Sequence, residues 1–152
     1  MPILKADAKL GMAMRFEVTI DDMPLGGWSG CDGLAVEFTF REWKEGGNNG
    51  YTPILPDRVK YSDVKLTRAV TAEDSVKVMR WLSSKAREFR PGTGVIKLFD
   101  AMTSPQAPRP PVATWTLRNV YPKQWSGPKL DARSADVATE VLVLRHEGFL
   151  DE

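Results

Sequence analysis

Residues 36–43 read Val36-Glu37-Phe38-Thr39-Phe40-Arg41-Glu42-Trp43, and residues 45–50 read Glu45-Gly46-Gly47-Asn48-Asn49-Gly50. Val36, Phe38 and Phe40 alternate with Glu37, Thr39 and Arg41. A period of two places the first set on one face of a strand and the second set on the other. The glycine-asparagine run that follows is the strongest turn signal in the chain. Beyond it, Pro53 and Pro56 should keep their neighbours out of any central strand, because proline donates no ladder hydrogen bond. Alternation resumes over 60–68, with Val64 and Leu66 on one face and Asp63, Lys65 and Thr67 on the other. The pattern predicts an extended hairpin that pairs 36–43 with 60–68 around a long loop.

Upstream, Met14, Phe16, Val18 and Ile20 alternate with Arg15, Glu17 and Thr19, the signature of a half-buried strand. Residues 21–27 carry turn chemistry, and Trp28–Cys31 suits a short strand that Gly30 and Gly33 weaken. Downstream, the period changes. Val76, Met79, Leu82, Ala86 and Phe89 recur at three and four residues and predict one apolar stripe of a helix over 71–89. Thr71 is its expected N-cap, with Asp74 three residues on. Glu73 and Asp74 match the positive end of the helix dipole; Lys85, Arg87 and Arg90 match the negative end, as a solvated face. Pro91-Gly92 stops the helix.

Val95–Asp100 and Thr114–Tyr121 read as strands. The segment between them holds Pro105, Pro108, Pro110 and Pro111 and must be a surface loop. Residues 122–131 read as a connector, and Val137–His146 as the last strand. That strand is apolar on both faces, Val137, Val141 and Val143 against Leu142 and Leu144, so the helix or a neighbouring subunit should cover the second face. The total is about six strands and one helix: an α+β fold, mainly antiparallel β, built as a sandwich or barrel with one flanking helix. The 152 residues suit a single domain over 14–150 behind an N-terminal arm, 1–13.

Charge is balanced, 21 Lys plus Arg against 20 Asp plus Glu, which argues against general nucleic-acid binding. One cysteine permits no internal disulfide. Lys5, Asp7 and Lys9 interrupt the start, so no secretory signal is expected, and no apolar run approaches a membrane span. The expectation is a cytoplasmic product that, if it leaves the cell, does so by lysis or inside a larger machine.

Chemistry-bearing residues are sparse. His146 is the only histidine. It is read either as a general base oriented by Glu147 or Glu140, or as a strand-end residue with a local hydrogen bond, and no nucleophile motif supports the first. Cys31 beside Asp32 is read either as a thiol nucleophile or as a small buried apolar residue. No catalytic, cofactor or metal site is expected: zinc would need several Cys and His ligands, and Asp21-Asp22 lacks the spacing of a calcium loop.

Several segments together resemble the phage tail tube protein family, which includes the tubes of contractile phages and of extracellular contractile injection systems. They are Phe16–Asp21, Gly27–Leu34, Arg41–Asn49, Leu55–Tyr61, Val64–Arg68, Trp115–Trp125 and Val137–Glu147. Asp57 and Ala69 depart from the pattern, where glycine is common, and the proline loop is longer than usual. The resemblance implies a structural, non-enzymatic protein without cofactors. It implies hexameric rings whose sheets merge into one barrel around a lumen, stacked as a tube inside a contractile sheath. The implied partners are further copies of itself, the sheath protein, baseplate and spike proteins, and a DNA or protein cargo. Glu37, Thr39, Arg41, Asp63, Lys65 and Thr67 would line the lumen. Val36, Phe38, Phe40, Val64 and Leu66 would pack on the helix. The loop with Gly46, Gly47, Asn48, Asn49, Gly50 and Tyr51 would reach the adjacent ring. A same-fold baseplate initiator ring or terminator ring shares these motifs and remains an alternative, and a secreted cargo-carrying ring is a rival from another class.

Overall fold

The computed structural model describes residues 10–151 except Asp22, Asn48 and Pro105. Its elements are β1 (Gly11–Ile20), β2 (Met23–Pro24), β3 (Gly30–Asp32), β4 (Val36–Glu42), β5 (Ile54–Tyr61), β6 (Val64–Ala69), α1 (Ala72–Arg87), β7 (Gly92–Asp100), β8 (Ala113–Ser126) and β9 (Thr139–Arg145). Seven strands form one antiparallel sheet in the order β2-β1-β7-β8-β9-β6-β3, and β4-β5 stand apart as a two-stranded sheet. The expected α+β, mainly antiparallel architecture with a single helix is the one observed. Of the N-terminal arm, 1–9 lie outside the described residues and Gly11–Ala13 already belong to β1.

β8 makes this sheet a sandwich. Residues 113–120 pair with β7, and 121–126 pair with β9. The change of partner, between Val120 and Tyr121, directly follows Asn119, whose φ of 49° lies in the left-handed region that asparagine tolerates better than most residues. A strand that switches sheets at such a bend forms the corner of a folded sheet. One leaf is β2-β1-β7, the other β9-β6-β3. Val18, Ile20 and Ile96 from the first, Leu117 and Val120 from β8, and Val64, Leu66, Leu142 and Leu144 from the second meet in one core. α1 adds Val78 and Trp81 to it.

Charged residues hold the helix in place. Arg68 and Glu140 sit directly opposite each other on β6 and β9, both pointing inward. Arg68 Nε donates to Glu140 at 2.6 Å, with the two side chains 3% and 1% exposed. The guanidinium also donates to the carbonyls of Leu25 and, at 2.8 Å, Asp74, and lies 4.0 Å over the Trp28 ring. Glu140 further accepts from Trp125 Nε1 at 3.1 Å and Ser75 Oγ at 3.3 Å. One buried cluster thus ties the helix N-terminus, both strands and the 25–28 loop together. Thr71 caps the helix as expected, accepting from the Asp74 N–H at 3.3 Å. At the other end, Asp21 accepts from Thr93 N at 3.0 Å and pairs with Lys85 at 3.2 Å. Gly92 leaves room for the Asp21 carboxylate, which a Cβ there would displace.

The sequence expectation needs correction at five places. First, the partner of β4 is β5, not 60–68; Phe40 faces Pro56. A proline is tolerated because, among the described residues, β5 has no second strand neighbour. Second, β8 continues through Pro122 to Ser126, where a connector was expected. Third, the last strand starts at Thr139 and leaves Val137 74% exposed. Fourth, the helix buries Val78, Trp81 and Lys85, while Val76, Met79 and Phe89 face outward. Lys85 was expected on a solvated face, yet it is inside, where Asp21 and the Arg90 carbonyl neutralise and solvate its ammonium. Fifth, Val64 and Leu66 reach the core as expected, but Phe38 and Phe40 do not.

Removing one partner of a buried ion pair strands the other charge, which costs about 3–5 kcal/mol. Glu140→Gln should lose stability on that order in urea unfolding, and Arg68→Met should cost little more once Glu140 is already Gln. A loss below about 1 kcal/mol for Glu140→Gln would show that the pair does not hold the helix.

Candidate functional site

The residues that might have carried catalysis hold the fold instead. His146 Nδ1 accepts from the Gly148 N–H at 3.1 Å, so the neutral ring carries its proton on Nε2 and donates it to the Ser62 carbonyl at 2.9 Å. Glu140 is engaged by Arg68, and Glu147 accepts from Asn119 Nδ2 at 2.5 Å, so neither orients the imidazole. Cys31 is half-buried, and burial with nearby Asp32 pushes its thiol up to about 11. A thiol that stays protonated is a poor nucleophile. Among the described residues, no three His, Cys, Asp or Glu side chains group as a metal site.

The informative features are surfaces the chain leaves uncovered. The first is the β4–β5 hairpin. Opposed residues share a face in an antiparallel pair. Val36/Tyr61, Phe38/Val59 and Phe40/Pro56 form an apolar face, and Glu37/Lys60 and Arg41/Leu55 lie on the other. Thr39 Oγ1 donates to the Arg58 carbonyl at 2.6 Å, and Arg41 pairs with Asp57 at 3.2 Å. Phe38 is 58% and Phe40 56% exposed. The root is anchored to the sandwich. Ser62 N donates to Ala35 O at 3.3 Å, and Tyr61 packs on Phe149 and His146 with ring centroids 5.2 and 5.6 Å apart. Gly33, at φ +98°, sits against the Asp63 carbonyl and lets the chain turn outward there.

The second is the mouth of the sandwich, where the border strands β1 and β3 face each other without pairing. Among the described residues, β1 has no outer strand partner before Thr19. A slot of about 360 Å³ opens there, lined by residues of β1, β3, β7 and β8 together with Leu34. The third is the outward stripe of α1, where Val76 and Met79 lie beside Arg80 and Arg87 over a shallow groove.

The residues expected in the lumen fall on two pieces of sheet. Glu37, Thr39 and Arg41 share the polar hairpin face. Lys65 and Thr67 lie on the outer face of β6, opposite Val143 and Val141, which are half-buried. Asp63 precedes β6 and pairs with Lys123 at 2.5 Å. In the expected stacking loop, Gly46, Gly47, Asn49, Gly50 and Tyr51 are all exposed at the hairpin tip, and Asn48 lies outside the described residues. The exposed helix stripe and the bare Phe38 and Phe40 were missed by sequence reasoning; an apolar period says that a face is covered, not by which chain.

Comparison with known proteins gives this arrangement a context. The family model for the T4-like virus tail tube protein gp19 matches residues 12–150. No curated protein matches the chain. A solved structure of the anti-feeding prophage baseplate, 6-fold symmetrised, contains a chain 24% identical, with a TM-score of 0.74 over 92% of this chain and 93% of that one. A chain of the PVC extracellular contractile injection system, in its sheath-tube complex in the extended state, is 21% identical, with a TM-score of 0.74 over 91% and 88%. The tube terminating cap of the anti-feeding prophage is 19% identical, with a TM-score of 0.76 over 96% and 93%. These likenesses establish the fold.

His146 sets a pH test of the hairpin root. Burial lowers its pKa below 6.5, against the pull of the Ser62 carbonyl and Asp63, with Arg118 adding to the lowering. The fold therefore holds the neutral ring, and protonation opposes folding. Its stabilising contribution is complete above pH 6.5 and is lost as pH falls through the lower folded value. Unfolding measured against pH should show a drop in that window that His146→Gln lacks. Parallel pH profiles for the two proteins would refute this.

Proposed function

We propose that this chain, which belongs to the T4-like virus tail tube protein gp19 family, is the inner-tube subunit of a contractile phage tail or injection system. In this reading it forms hexameric rings that stack inside a sheath and pass cargo through their lumen. Tail tube proteins are a structural protein family. The observation that carries the reading is the bare hairpin. Two phenylalanines more than half exposed, on a strand pair with no other strand neighbour among the described residues, make a surface that water disfavours. Open strand borders invite pairing with another chain, and full closure is the arrangement that removes them. Similar folds in a sheath-tube complex and in a 6-fold symmetrised baseplate support a ring as the closed form.

Within the ring, the polar hairpin face with Glu37, Thr39 and Arg41, and the outer face of the second leaf with Asp63, Lys65 and Thr67, line one channel. The half-buried Val141 and Val143 beside them are then covered in part by the neighbouring hairpin. The tip loop, Gly46 to Tyr51, meets the next ring. Sheath, baseplate and spike proteins contact the assembled tube.

Electron microscopy of the purified protein should reveal rings and stacked tubes. Single rings that never stack would assign the chain to an initiator or terminator, and a solitary monomer at high concentration would refute the reading. Deleting Gly46–Tyr51 should leave rings and abolish tubes; tubes of normal length would refute the stacking role.

Lumen residues should stay wet after assembly. Thr39→Cys and Thr67→Cys are expected to react with a water-soluble maleimide in open-ended tubes as they do in dispersed chains. Loss of labelling on assembly would place them in a contact instead.

A further inference from the structure

We propose that His146 and the turn behind it, residues 147–150, form a proton-operated latch that grips the root of the β4–β5 hairpin and lets go in acid. The latch lies within one chain and does not depend on the ring reading. The imidazole stands at the end of β9 and bonds in two directions. Its Nε2–H reaches the Ser62 carbonyl at the hairpin root, 2.9 Å away, and its Nδ1 accepts the Gly148 N–H at 3.1 Å. The turn is shaped for close contact. Gly148 has a φ of +132°, and a Cβ on it would overlap the Tyr61 ring and the Arg118 guanidinium. Arg118 N donates to the Gly148 carbonyl at 2.9 Å, and Glu147 N to the Arg118 carbonyl at 2.8 Å. Phe149 then meets Tyr61 edge-on, with centroids 5.2 Å apart. Tyr61 is the last residue of β5, so the turn and the imidazole together hold the hairpin where it leaves the sandwich.

One proton undoes half of this grip. An imidazolium carries N–H on both nitrogens, so Nδ1 then points a donor at the Gly148 N–H, also a donor. The Ser62 bond survives. The bond that places the turn, and with it Phe149 against Tyr61, does not. The titratable and charged groups around the ring are Tyr61 and Asp63 on the hairpin side, Arg118 on β8 and Glu147 in the turn. Asp63 is engaged by Lys123 and Glu147 by Asn119, each at 2.5 Å. Burial keeps the ring neutral to below pH 6.5, and Arg118 adds to this, while the Ser62 carbonyl and Asp63 pull the other way. The helix tie does not titrate in that window. Against the burial that would raise it, the Asp21 carboxyl is held below 3.8 by hydrogen bonds from Thr93, Lys85 and Trp81. Acid therefore opens the root locally while the sandwich stays closed, as a unit of low stability on a more stable frame.

Hydrogen exchange of the full chain, read by mass spectrometry and corrected at each pH for the intrinsic exchange rate, tests the latch. Corrected exchange in peptides covering 59–63 and 146–150 should rise about tenfold per pH unit as pH falls below 6.5, then level off beneath the folded value of His146. Peptides from β6 and β7 should not follow. His146→Gln should remove the rise, because an amide takes up no proton in this range. A flat wild-type profile would overturn the proposal. So would a rise shared by β6 and β7, which is global opening, or a rise that persists in His146→Gln. Should that variant fail to fold, Asp63→Asn carries the test. Without the carboxylate that favours the charged ring, the rise should move to lower pH, and an unmoved profile would overturn the latch.

Discussion

This chain makes more apolar sheet than its single helix can cover. α1 contributes Val78 and Trp81 to the buried core with Leu82 packed against it, and Phe38 and Phe40 of the hairpin stay more than half exposed among the described residues. Burying a Phe or Val side chain gains roughly 1.5–3 kcal/mol, so the uncovered side chains amount to a large part of what holds an ordinary domain together. The described residues therefore leave part of the hydrophobic pattern uncovered, and in the ring reading proposed above further copies of the chain cover it.

For that incompleteness to give one assembly rather than aggregation, the uncovered pieces must be held in fixed positions. Buried charge does this. Arg68 and Glu140 cross-link the second leaf and fasten it to the helix N-terminus, and Asp21 with Lys85 fastens the helix C-terminus to the first leaf. Such groups are poor sources of net stability, because desolvation offsets much of their attraction. Their directional hydrogen bonds, however, leave few alternative packings. His146 plays the same part at the hairpin root, where two hydrogen bonds set its tautomer and its ring packs on Tyr61.

What the sequence made legible follows the range of the interactions involved. Period-two alternation located β1, β4 and β6, and short-range capping chemistry located the helix start at Thr71. β5 was hidden because Pro53 and Pro56 argue against a strand unless the strand is a lone hairpin arm, which depends on tertiary context. Pro122 hid the second half of β8 for the same reason. The helix was found but turned to the wrong face. It carries two stripes, and the longer one, Val76-Met79-Leu82-Ala86-Phe89, is the one largely left outside. Trp81 and Lys85 enter the core because their polar atoms find Asp21, a partner 60 residues away for Trp81 that no local period encodes. The assembly surfaces were half legible. The hairpin faces could be read, whereas the slot exists only where four distant strands converge.

The ring reading places a geometric demand on this chain. A two-fold dimer requires one patch that complements itself, whereas a ring of more than two copies joins two different patches head to tail. Such a series ends only when the rotation between neighbours brings the last copy back to the first; otherwise it grows as an open helix. Closure therefore requires the same angle at every junction, and the fixed position of the hairpin bears on that demand. A loosely hinged hairpin would accept several angles and yield open chains, whereas one held at its root by Ser62, Tyr61 and His146 would repeat a single angle.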